Sequence, residues 1–247
     1  MNKIISLVFI IGISFGLNAQ DYPQMVFVQG GNVDINNTSQ KVESFKIAKT
    51  EITNSQWSAF KKLSNYYDDK GDEPRVNVSI CEAEDYCKWL SFKTGKYYRL
   101  PTEAEWKYAA KGGNKSKGFK YSGSNSIEDV CWYYENSKKQ KGNGFYQTYV
   151  HKVATKIPNE LGLYDMNGNV SEWCYFYWEY NNYKYSHGGV HRGGNFDSSE
   201  EKCTISYRDN GQYSCTTSDI SIGFRIVEVI SKKELDFHNN EIKKSLE

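Results

Sequence analysis

The chain lacks a dominant charge: 31 Lys and Arg stand against 30 Asp and Glu, a formal net charge of +1. These charges are spread without forming a stripe, so there is no electrostatic case for a nucleic-acid partner. No apolar run reaches the roughly 20 residues that a membrane-spanning helix requires. The run from Ile4 to Leu17 falls short of that length, follows the basic Lys3, and leads into Asn18-Ala-Gln20. This is the form of an export signal, residues 1–20, and no cysteine follows it to carry lipid. The expectation is a secreted or periplasmic protein with no membrane span. Also missing are a nucleophile elbow, a phosphate-cradling glycine loop and zinc-type cysteine spacing. His151, His187, His191 and His238 have no metal-ligand spacing and read as surface or hydrogen-bonding residues.

What remains is long enough for one large domain with a real core. No linker or charge step divides it, so residues 21–230 read as one domain and 231–247 as a solvated, partly helical tail. Three helix entries carry capping boxes, in which a Ser or Thr side chain satisfies an early amide and a Glu or Gln three residues on reaches back. They are Thr53 with Gln56, Ser79 with Glu82, and Thr102 with Glu105. Ala83, Tyr86, Cys87 and Leu90 then mark one apolar helix face, and this helix should stop near Gly95. The helix bearing Trp106, Ala109 and Ala110 should end at Gly112-Gly113. Beyond residue 113 the pattern turns to short strand-like runs broken by Gly, Asn and Ser, and Asn114 to Gly144 reads as mostly loop. Spacing supports a mixed α+β fold with long loops.

Six cysteines, Cys81, Cys87, Cys131, Cys174, Cys203 and Cys215, follow the leader. An even count in an exported protein reads as disulfides, at least two of them, with a connectivity that sequence does not choose. Cys81 and Cys87 lie on one helix, six residues apart, which disfavours their mutual pairing. The aromatics, 20 Tyr, 12 Phe and 6 Trp, are too many to pack inside with every hydroxyl paired.

Particular motifs add more. Gly162-Leu-Tyr-Asp-Met-Asn-Gly-Asn-Val-Ser-Glu-Trp173, Arg99-Leu-Pro-Thr-Glu-Ala-Glu-Trp106 and Gly223-Phe-Arg225 resemble the formylglycine-generating enzyme domain, the sulfatase-modifying-factor family. Met25-Val-Phe-Val-Gln-Gly-Gly31 resembles its opening strand and glycine turn, Glu51-Ile-Thr-Asn-Ser-Gln-Trp57 its first helix entry, and Val76-Asn-Val-Ser79 with Tyr86-Cys-Lys-Trp-Leu90 its second helix. His191-Arg-Gly-Gly194 resembles the approach to its catalytic stretch. The resemblance implies a C-type-lectin-like fold with few helices, short antiparallel strands and long loops. It also implies that Cys174 and Cys203 come together.

By the same resemblance, Asp165, Gly168, Val170 and Glu172 match a calcium loop. Calcium takes six to eight hard oxygens, and a glycine at 168 lets carbonyls converge. The competing reading is a tight turn whose Asp caps its own backbone. The family's second calcium site has no counterpart around Cys131 to Gly144. The family oxidises a sulfatase cysteine to formylglycine with copper(I) held between two thiolates, which this soft ion prefers. Here Ser198 stands at the first cysteine position and Cys203 at the second, while Asn195 replaces a Ser and Ser171 a Trp. Copper is therefore not expected. The resulting expectation is a non-catalytic binding or cell-surface assembly module for a protein, peptide or glycan, presenting Tyr175, Tyr177, Trp178, Tyr180, Tyr183 and Tyr185 as an adaptable surface. The alternative is a divergent formylglycine-generating oxidase.

Overall fold

The computed structural model describes residues 22–61, 71–180, 183–209, 215–232 and 235–236, and across 176–188 it describes the backbone alone. The export segment and most of the tail lie outside the described residues. Strand β1 (Met25–Val28) pairs antiparallel with β4 (Phe45–Ala48), Val28 opposite Phe45. Between them β2 (Gly31–Ile35) and β3 (Thr38–Val42) form a hairpin. Its two turn residues, Asn36 and Asn37, both have positive φ, the geometry whose twist matches paired strands.

All three helix entries close as their sequences require. Helix α1 (Asn54–Lys61) begins with Thr53 N–H donating to Gln56 Oε1 (3.0 Å) and Gln56 N–H to Thr53 Oγ1 (3.3 Å). Helix α2 (Ile80–Thr94) has the Ser79 and Glu82 box and stops at Gly95, left-handed at φ 70, whose N–H reaches the Ser91 carbonyl. Each such cap is worth about 1 kcal/mol. The α2 face of Ala83, Tyr86, Cys87 and Leu90 is buried. There Tyr86 stacks on Trp57 and meets Phe224 edge-on. After β5 (Tyr98–Arg99), helix α3 (Glu103–Ala110) opens on the Thr102 and Glu105 box and gives way to left-handed Gly112 and Gly113. Arg99 grips both Glu105 oxygens at 2.7 and 2.8 Å. Burial opposes the Glu105 charge, yet Arg99 and the Thr102 bonds hold its pKa below the ordinary value.

The stretch from 114 to 144, expected to be mostly loop, has more local order than that. It contains the single-turn helices α4 (Ile127–Val130) and α5 (Tyr134–Ser137) and the short strands β6 (Cys131–Trp132) and β7 (Lys138–Gln140). None is long enough to leave a helical or strand period in the sequence. Strand β8 (Tyr146–Thr148) pairs with β7, and β9 (Asn167–Gly168) runs parallel to β6. The long strands β10 (Ser171–Tyr180) and β11 (Tyr183–Arg192) form a hairpin, with β12 (Ile222–Gly223) parallel to the start of β10. Strand β13 (Val227–Val229) sits between β4 and β5, giving the sheet order β1-β4-β13-β5. One disulfide, Cys81 to Cys215, fastens α2 to the segment before β12. No helix among the described residues is long and apolar enough to cross a membrane.

Candidate functional site

The loop leading into β10 owes its path to three residues in the left-handed region: Asp165 (φ 54), Gly168 (φ 72) and Asn169 (φ 55). Asp and Asn tolerate this conformation. At 168 the requirement is absolute, because a Cβ there would overlap the Trp132 carbonyl and the Cys131 sulfur. The loop is tied on both sides: Gly168 N–H donates to the Gly193 carbonyl (2.9 Å) and Asn169 N–H to the Trp132 carbonyl (2.8 Å).

Beneath this loop lies a buried charged centre. Glu172, at the start of β10, is fully buried, and so is Arg225, just before β13. Arg225 Nε and Nη2 each donate to a Glu172 oxygen at 2.6 Å, and Trp106 Nε1 donates to Oε2 at 2.8 Å. The guanidinium also reaches the carbonyls of Ala48 (3.1 Å) and Tyr164 (2.9 Å). Such a fork-to-fork pair carries geometric specificity as well as energy. Glu51, also fully buried, accepts long bonds of 3.3 Å from Asn169 Nδ2 and Val170 N–H. Burial raises its pKa well above the ordinary range, as do the charges of Asp165 and Glu172, with Arg225 opposing. Burial likewise pushes Asp165 from the usual 3.8 to about 6. Three carboxyl groups and one guanidinium therefore share a region closed to water.

The four positions matched to calcium lie along this loop, and they differ in what they can offer a cation. Asp165 Oδ2 accepts the Ala154 amide at 2.7 Å, while its Oδ1 is buried with no partner. An orphaned carboxylate oxygen beside surplus negative charge fits a hard cation. Both Glu172 oxygens are already held by Arg225 and Trp106, and the Val170 amide is turned to Glu51. Among the described residues no three His, Cys, Asp or Glu side chains are grouped to hold a metal. A calcium ion here would thus lean on Asp165 and on backbone carbonyls. Sequence reasoning missed Glu51 and Arg225 as members of this centre; Arg225 was visible in Gly223-Phe-Arg225 but without a partner.

The positions matched to the catalytic stretch form a different structure. Asn195 Nδ2 donates to Ser171 Oγ (3.2 Å), and Asn195 N–H donates to Ser198 Oγ (3.1 Å). The Ser198 amide returns to the Asn195 carbonyl (2.9 Å), closing a turn. The three residues that depart from the family pattern therefore touch one another in a neutral network, and Ser198 is only 8% exposed.

Cys203 lies outside that network, at the end of the 3-10 turn Glu200–Cys203, fully buried. The implied partnership with Cys174 is not what the structure shows. Cys174 sits on β10 in the main core with a free thiol, in van der Waals company with a different set of residues. Cys203 instead meets Cys131 of β6 in a cluster with Tyr121, Ile127, Val130 and Tyr133. The family layout failed here because Cys131, a residue on a two-residue strand, carries no local signal of what tertiary pairing brings to it.

Of the histidines, His151 stacks on Trp132 with ring centroids 3.7 Å apart, and His191 meets Trp173 edge-on. Burial lowers the pKa of each. His238 and the side chain of His187 lie outside the described residues, as do the side chains of Tyr177, Trp178, Tyr180, Tyr183 and Tyr185; Tyr175 packs partly buried against the α2 core.

With this geometry in view, residues 14–230 match the family described as the Sulfatase-modifying factor enzyme 1-like domain. The chain belongs to that family. It is 30% identical to the chaperone protein LppX of Paenibacillus barcinonensis, over 82% of this chain and 88% of that protein. It is 34% identical to the formylglycine-generating enzyme of Mus musculus over 44% of this chain and 28% of that protein. Against the inactive C-alpha-formylglycine-generating enzyme 2 of Bos taurus it is 37% identical over 42% and 33%. The solved structure of CarF superposes with a TM-score of 0.68 at 25% identity, covering 85% of this chain and all of CarF. The α+β, C-type-lectin-like architecture is that of these neighbours. Active and inactive relatives stand side by side, so membership leaves the activity to be argued from the site.

Proposed function

We propose that this protein is a non-catalytic binding or assembly module of the cell envelope, built on the sulfatase-modifying-factor scaffold. The observation that carries this reading is the Asn195, Ser171 and Ser198 network. Where the family places a thiolate, this chain places a hydroxyl that is already accepting a backbone hydrogen bond. A hydroxyl is a hard, weakly acidic group and does not replace a thiolate for copper(I). A relative described as a chaperone, matched over most of its length, supports a role in holding another molecule. The occupant is a protein, peptide or glycan. Calcium belongs to the same proposal as a structural ion at the Asp165 loop.

The second reading, a divergent oxidase, draws support from one observation: Cys131 gives Cys203 a thiol neighbour that its own stretch lacks. Both sulfurs are sealed from solvent, at 0% exposure, so a substrate cysteine has no route to them without opening the core. A peptide carrying Cys-x-Pro-x-Arg, incubated with copper-treated protein and oxygen, is expected to keep its thiol by mass spectrometry. Measurable turnover would overturn the module reading. Ser198→Cys is expected to rescue little, since Asn195 and Ser171 still shape the pocket. Capture from an envelope fraction, with mass spectrometry of what is retained, identifies the occupant.

A further inference from the structure

Four cysteines are free and buried in the structure, and they are distributed unevenly over its apolar clusters. Cys87 packs within the α2 cluster, Cys174 in the main core, and Cys131 and Cys203 together in the third cluster. Two glycines bring these last two sulfurs together. A Cβ on Gly168 would overlap the Cys131 sulfur, and one on Gly194 would stand 2.8 Å from the Cys203 sulfur. Gly168 N–H bonds the Gly193 carbonyl at 2.9 Å, so closing this glycine seam delivers one thiol from each side. The two cysteines are thereby buried in one cluster, apart from the other two.

We propose that Cys131 and Cys203 form a second disulfide, cross-linking β6 to the 3-10 turn that follows the Ser198 turn. The oxidant is a protein or small-molecule disulfide. One cysteine loses its proton and its thiolate attacks that disulfide, forming a mixed disulfide and releasing one thiolate of the oxidant. The other cysteine, deprotonated in turn, displaces the second half. The two cysteine thiols give up two electrons and two protons, and the oxidant leaves as two thiols. Burial holds the Cys131 thiol protonated in the folded chain, so the exchange occurs while the chain is still folding. Once formed, the bond is shielded from reductants by the same burial. This inference stands on geometry apart from the proposed function; its consequence is that Cys203 has no sulfur available to copper.

The test uses the full chain, denatured, reduced and refolded in a glutathione redox buffer. With both cross-links formed, six cysteines leave two free thiols, Cys87 and Cys174; with the Cys81–Cys215 bond alone they leave four. A tryptic digest without reductant is expected to join the fragments 121–138 and 203–208, and reductant should part them. In Cys131→Ala the joined fragments should disappear and Cys203 should become alkylatable after denaturation. If that variant does not fold, the wild-type fragment map decides the matter. Cys131 and Cys203 alkylated on separate fragments after oxidative refolding, or Cys203 joined to Cys174, would overturn the proposal.

Discussion

Two regions of opposite character meet at the start of β10, where Ser171 and Glu172 are consecutive. On one side, Glu172, Arg225 and Trp106 close a charged centre in which every Glu172 oxygen is engaged. On the other, Asn195, Ser171 and Ser198 form a neutral hydroxyl and amide network at the positions matched to family chemistry. Among the residues that match the family pattern, replacing Glu172 or Arg225 would leave a buried charge and replacing Gly168 a colliding Cβ. Asn195, Ser171 and Ser198, which depart from it, hold one another through neutral hydrogen bonds. A run of matching motifs thus reports the scaffold, and the chemistry has to be read from the side chains around it.

The strongest way to break the contrast is to unpair the charged centre. Arg225→Met leaves Glu172 buried without its cation, a change that costs about 3–5 kcal/mol, read as a fall in the urea midpoint. Arg225→Met combined with Glu172→Leu should recover much of that loss; if the double variant is as weak as the single, the guanidinium acts through its carbonyl contacts and not through the pair.

Asp165 sharpens the same comparison with a smaller effect and an unusual sign. Its folded pKa, about 6, lies above the usual 3.8, so between these values the folded state binds more protons than the unfolded one. Stability of the metal-free protein should therefore rise as pH falls from about 7 towards 4, by about 1–3 kcal/mol. Asp165→Asn suits the left-handed backbone there and should be more stable than wild type in EDTA at pH 7.5, with the pH dependence flattened. Calcium should raise the wild-type melting temperature at pH 7.5, less so at pH 5, and not at all in the variant. A wild-type melting temperature indifferent to EDTA at pH 7.5 would leave the loop as a turn only.

On the neutral side the effect should be least. Ser198→Ala removes one acceptor from the Asn195 amide, about 1 kcal/mol, and should leave the thiol count unchanged. A loss several times larger would mean that the turn supports more of the fold than its hydrogen bonds indicate.

What sequence disclosed follows the range of the interactions. The boxes at Thr53, Ser79 and Thr102 and the stop at Gly95 are decided within four residues, and all took the expected form. The Asn195, Ser171 and Ser198 grouping was legible only through the family pattern, since Ser171 lies 24 residues from Asn195. Glu51 stands 118 residues from Asn169, and neither its burial nor its neighbours leave any mark on its own stretch. The meeting of Cys131 with Cys203, in place of Cys174 with Cys203, depends on the parallel pairing of two strands only two residues long.

The position of β13 bears on how the chain comes into being. Its Glu228 takes Lys46 of β4 across 182 residues of sequence. A ribosome adding roughly 5–20 residues per second needs on the order of ten to forty seconds to make that interval. Throughout it β4 has one ladder edge open, and over the last part of it, the 53 residues between Glu172 and Arg225, Glu172 has been made without its guanidinium. The sheet β1-β4-β13-β5 consequently stays unfinished, and its β4 edge unpaired, until β13 has been made.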